Sequence, residues 1–99
     1  MRLSALERTV VLEAARRHFG ELVEVWVFGS RARDDARGGD IDLLVELPKP
    51  VDSPLCLALA FEADIQSELD DPKVDVLVHA VGDEASPIYS LARRSGVRL

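Results

Sequence analysis

Apolar residues at Leu3, Leu6, Val10 and Ala14 recur at helical spacing, and Ser4 followed three residues later by Glu7 is a capping-box signature. The sequence therefore predicts an opening helix, which Gly20 ends. From Leu22 to Phe28 the run LVEVWVF is rich in β-branched and aromatic residues and apolar on both faces, which predicts an interior strand covered on both sides. Gly29 and Ser30 break it. The polar stretch 31–37 predicts a short helical turn or loop, and Gly38-Gly39 turns the chain into the next apolar run. Residues 40–47 alternate as a second strand, with Ile41, Leu43, Val45 and Leu47 on one face and Asp40, Asp42, Leu44 and Glu46 on the other. Pro48, Pro50 and Pro54 punctuate a loop, and Ser53-Pro54 supplies an N-cap and a first-turn proline for a second helix. Ala58, Phe61, Ile65 and Leu69 mark that helix's buried stripe. After Asp70-Asp71-Pro72, KVDVLVHA reads as a third strand in which Val74, Val76 and Val78 oppose Asp75, Leu77 and His79. Ser86-Pro87 opens a last helix, which Gly96 ends with Arg93 and Arg94 in its final turn, and Val97 to Leu99 form a short terminal strand.

The α-β-β-α-β-α order predicts an α+β (α/β-like) fold, a mixed β-sheet with helices packed on it, as a single domain over residues 1–99. A chain of 99 residues buries about 65% of its unfolded surface in one core and cannot fill two. Hydrophobic residues at 47% and charged residues at 30% are the balance of a folded globular chain. The formal net charge of −6 argues against a nucleic-acid partner bound by phosphate neutralisation. Cys56, the one cysteine, can form neither an internal disulfide nor a multi-thiolate metal site. No apolar run approaches the ~20 residues of a membrane span, and Met1 leads into a charged amphipathic segment. A cytoplasmic protein without a membrane partner is the expectation.

Asp40 and Asp42 leave one strand face with backbone origins about 6.5–7 Å apart, so their carboxylates can converge on one or two small cations. Asp75 holds the equivalent position in another strand and joins them if the two strands are neighbours. Three such carboxylates raise one another's pKa unless a counter-charge is present, and hard oxygen ligands favour Mg²⁺ or Mn²⁺ over zinc. A lone Asp-x-Asp more often belongs to a solvated strand end. What changes its meaning is the turn upstream: Gly29 lets backbone amides approach a ligand, and Ser30 adds a hydroxyl donor, together suited to nucleotide phosphates.

The run VFGSRARDDARGGDIDLLVEL resembles the signature of the DNA polymerase β-like nucleotidyltransferase superfamily: an apolar strand end, Gly-Ser, a spacer, then an acidic pair with apolar interleaving. Its small size and the GSRAR variant are most similar to the minimal nucleotidyltransferases (MNT) paired with HEPN proteins in toxin-antitoxin modules. The resemblance implies a polymerase β-like fold, with Gly29 and Ser30 as the phosphate-binding turn and Asp40, Asp42 and Asp75 as catalytic metal ligands for two Mg²⁺ ions. Arg31 and Arg33 stand close enough to reach a triphosphate, and read equally well as solvated arginines on a polar turn. The implied activity transfers a nucleoside monophosphate, AMP from ATP, to a hydroxyl, foremost a tyrosine of a HEPN-type partner. Two alternatives remain: a non-catalytic antitoxin that binds its partner sterically, and a small-molecule nucleotidyltransferase needing a separate substrate-binding subunit. His79 shares the face of Asp75 and reads as a strand-end histidine outside the metal shell. His18 lies near a helix C-terminus; Trp26, Phe61 and Cys56 read as core, and Tyr89 as a packing residue of the last helix.

Overall fold

The computed structural model describes residues 3–29, 40–69 and 73–99. Ser4 takes an extended conformation; its hydroxyl accepts the Glu7 N–H at 3.0 Å, and Glu7 Oε1 accepts the Ser4 N–H at 2.9 Å. Helix α1 (Ala5–Phe19) thus starts on a complete capping box, and it stops at Gly20, whose φ of +97° a side chain would strain. Ser4→Ala removes one half of the box and should cost about 1 kcal/mol, lowering the melting temperature by roughly 4–8 °C. An unchanged melting temperature would mean that the α1 terminus contributes nothing to the folded state.

The remaining elements are β1 (Glu24–Phe28), β2 (Ile41–Leu47), α2 (Pro54–Glu68), β3 (Val74–Ala80), α3 (Pro87–Ser95) and β4 (Val97–Arg98). The sheet order is β3-β2-β1-β4, with β1 antiparallel to both β2 and β4, and β2 parallel to β3. A mixed sheet follows from the connections, because α2 carries the chain across between β2 and β3 whereas parallel neighbours cannot be joined by a tight turn.

Val25, Val27, Leu43 and Val45 point to one face, where Val11 and Ala14 of α1 and Phe61 and Ile65 of α2 join them in the main core. Phe61 meets Phe19 edge to face with ring centroids 5.4 Å apart. The opposite face carries a smaller cluster: Trp26 and Leu44 are buried with Ala92 of α3, and Phe28, Leu77 and Tyr89 pack at its margin. The functional candidates sit on this second face.

Several expectations need correcting. Leu22 lies in a turn and is 77% exposed, because Gly20 and a bond from the Val23 N–H to its carbonyl delay the strand to Glu24. Leu6 is exposed, and the buried face of α1 is Val10, Val11, Ala14 and Ala15 instead. Ser53 caps α2 with no side-chain hydrogen bond, its φ of −136° and ψ of 69° departing from the extended backbone of Ser4 and Ser86, whose hydroxyls do cap. Cys56 is exposed on α2 rather than buried. That helix is apolar around most of its first two turns, with Leu55 and Leu59 also exposed, so apolar spacing alone does not identify its inner side.

Candidate active site

β2 and β3 run in register with Ile41 opposite Val74, Asp42 opposite Asp75 and Glu46 opposite His79. From the other side, β1 sets Phe28 opposite Asp42. Ile41 and Val74 are buried, so by the strand's period of two Asp42 and Asp75 leave the other face together. The register thus sets the two carboxyl groups side by side across neighbouring strands. Partial burial comes first in raising the Asp42 pKa above the ordinary aspartate value; the neighbouring carboxyl of Asp75 and the charge of Asp40 add to the effect, and Lys73 opposes it. Like charges set side by side favour a cation between them.

Asp40 precedes β2 and is half exposed, its Oδ2 lying 3.8 Å from Lys73 Nζ. Lys73 immediately precedes β3, and its carbonyl accepts the Ile41 N–H at 2.9 Å, so the backbone ties Asp40, Asp42 and Asp75 to the same end of adjacent strands. The closest carboxylates are therefore the cross-strand pair, not the Asp-x-Asp pair in sequence. Among the described residues no group of three His, Cys, Asp or Glu side chains is posed to hold a metal ion as it stands. Asp42 and Asp75 stand opposite each other while Asp40 pairs with Lys73. The donor set nevertheless suits a hard divalent cation, being all oxygen and carrying like charge that lacks full compensation.

Gly29 follows Phe28 with a φ of +68°, and a Cβ there would fall onto the Asp42 carboxylate. Glycine is thus required twice, by backbone conformation and by the space the carboxylate occupies. Gly29→Ala should cost about 2 kcal/mol in urea-induced unfolding. Wild-type stability in that variant would show that the carboxylate does not lie against the turn. Ser30, Arg31 and Arg33 fall outside the described residues.

Sequence reasoning missed a second network on this face. His79 Nδ1 lies 2.9 Å from Glu46 Oε1, and the His79 ring stacks on Tyr89 at 3.7 Å with planes 16° apart. Arg93 donates to the Tyr89 hydroxyl at 3.2 Å, stands 3.8 Å from Glu46 Oε2 and covers the Trp26 ring at 4.2 Å. These contacts clamp α3 to the sheet four residues along β2 and β3 from Asp42 and Asp75. The signal was present, since Asp42 and Glu46 share their spacing with Asp75 and His79. His79 belongs to this clamp, Tyr89 packs as expected, and Trp26 and Phe61 are buried. His18 pairs instead with Asp64 at 2.6 Å; that bond first, and Arg17 second, hold the Asp64 pKa below the ordinary value. A small recess lined by Leu47, Val51, Val78 and Ala80 opens at the far ends of β2 and β3, away from the carboxylates.

The family model for a nucleotidyltransferase domain matches residues 9–96. None of the curated proteins matches the chain. Among solved structures, the chain is similar to one in the crystal structure of a toxin-antitoxin MntA-HpeT mutant, in which two aspartates two positions apart are both replaced by glutamate. The TM-score is 0.65 at 17% identity, over 93% of this chain and 70% of that one, a likeness of fold. No described helix is long and apolar enough to cross a membrane.

Proposed function

The chain belongs to the nucleotidyltransferase domain family, and from that premise we propose that it transfers AMP from ATP to a hydroxyl, specifically a tyrosine of a HEPN-type toxin that the modification silences. The observation that carries this is the register setting Asp42 opposite Asp75 beside the Gly29 turn. Its context is supported by the structural likeness to a protein from a toxin-antitoxin pair.

In the proposed reaction the tyrosine oxygen bonds to the α-phosphorus, the bond to the α–β bridging oxygen breaks, and pyrophosphate departs with that oxygen. Asp75, exposed at the head of β3, accepts the hydroxyl proton. Asp40, Asp42 and Asp75 would hold two Mg²⁺ ions, which supply charge stabilisation to attacking and leaving oxygens when bound. Gly29 leaves space for phosphates beside Asp42; Ser30 donates to them, and Arg31 and Arg33 meet the departing pyrophosphate. The partner presents the acceptor, because in-line positioning of the nucleophile supplies much of the rate.

The test is to incubate the chain with ATP, Mg²⁺ and the HEPN-type protein encoded beside it, and to read the intact mass of that protein. Addition of one AMP is expected. A toxin inhibited on mixing without a mass gain would replace catalysis by steric neutralisation. A neighbour neither modified nor bound would remove the toxin assignment and direct the search to a small-molecule acceptor with its own binding subunit.

A further inference from the structure

Building on the metal-dependent reading above, we propose that Lys73 is the resident counter-ion of the carboxylate cluster and becomes a triphosphate-binding residue once a divalent cation takes its place. Lys73 and Asp75 are two apart and share a strand face. Because Ile41 is opposite Val74, the register brings Asp40 opposite Lys73, an opposite-charge pair across neighbouring strands. The Lys73 carbonyl accepts the Ile41 N–H, so its backbone is anchored between the two aspartates of β2's leading end.

The contact is also built to be given up. At 3.8 Å, with side-chain exposures of 68% for Lys73 and 52% for Asp40, it is a loose, solvated pair of the kind worth little in isolation. A divalent ion gathered by three carboxylates outcompetes a single ammonium for Asp40. The lysine, on a flexible stem with three donors, is then left beside the place where a polyphosphate carries its charge. The same pairing accounts for the open disposition of the three carboxylates, since Asp40 faces Lys73 while Asp42 and Asp75 stand opposite each other.

Two affinities that should move in opposite directions test this. Mn²⁺ binding to the full chain is measured by electron paramagnetic resonance without nucleotide, and ATP binding by calorimetry in saturating Mn²⁺, for wild type, Lys73→Met and Lys73→Arg. Lys73→Met should bind Mn²⁺ about threefold more tightly, the scale of one lost competing ion pair, and ATP about tenfold more weakly. Lys73→Arg, which keeps the charge, should stay near wild type in both. Any other pattern in Lys73→Met, including equal affinities or two changes of the same sign, overturns the assignment. Wild-type protein that binds no Mn²⁺ overturns the metal-dependent reading and this assignment with it.

Discussion

Asp42→Asn should lose transfer by roughly a thousandfold and, in the metal-free state, melt at a higher temperature than wild type. On the proposed function, the loss follows from removing one carboxylate charge of the Asp40, Asp42 and Asp75 cluster without changing volume. The gain in stability follows from the raised pKa of Asp42, which comes mainly from partial burial and then from Asp75 and Asp40. A carboxyl group whose folded pKa exceeds its unfolded value opposes folding when it ionises. That penalty is absent below the ordinary aspartate range and grows as pH rises through the folded value, so metal-free wild type loses stability across that interval. Asparagine cannot ionise, and its amide can donate to Asp75. At neutral pH the variant should melt roughly 2–4 °C higher, corresponding to about 0.5 kcal/mol for a solvent-screened pair, and the two melting curves should converge at low pH. Unchanged transfer, or a variant that melts lower than wild type at every pH, would contradict the assignment of Asp42.

Chelation should weaken ATP binding by about a hundredfold. ATP carries several negative charges to a face that already holds Asp40, Asp42 and Asp75 on a chain of net charge −6, and like charges brought together cost several kcal/mol. In the proposed site, Mg²⁺ would offset that charge. In a calorimetric titration, ATP should bind with Mg²⁺ present and only marginally with a chelator. Mg²⁺ alone should also raise the melting temperature of wild type and leave that of Asp42→Asn nearly unchanged, because the ion gains most where the charge is least compensated. Equal ATP affinity in both conditions would place the polyphosphate away from the carboxylates.

The three main strands were legible because β-branched residues and period-two alternation are dense in 24–28, 41–47 and 74–80, and the interior place of β1 followed from its apolar positions on both faces. The mutual position of Asp42 and Asp75 was legible only conditionally: alternation set each one's face, but that β2 and β3 are neighbours is a property of the crossover through α2. The details lost were those that local pattern does not encode. The inner side of α2 is ambiguous because Leu55 and Leu59 are as apolar as the residues it buries. Whether Ser53 caps depends on backbone angles set by the proline-punctuated loop around it. Lys73 and the Glu46–His79 pair were missed for one reason: each acquires its partner across strands, at separations of more than thirty residues.

The central claim, that Asp40, Asp42 and Asp75 form a divalent-cation site for a nucleoside triphosphate beside Gly29, is met most directly by crystals grown with Mn²⁺ and a non-hydrolysable ATP analogue. The anomalous difference map at the manganese edge is the measurement. The account predicts a peak in contact with Asp42 and Asp75, with Asp40 drawn away from Lys73 to join them and the triphosphate extending over the Gly29 turn. A bound nucleotide with no anomalous peak at these carboxylates, or with its phosphates at another face of the sheet, would contradict it.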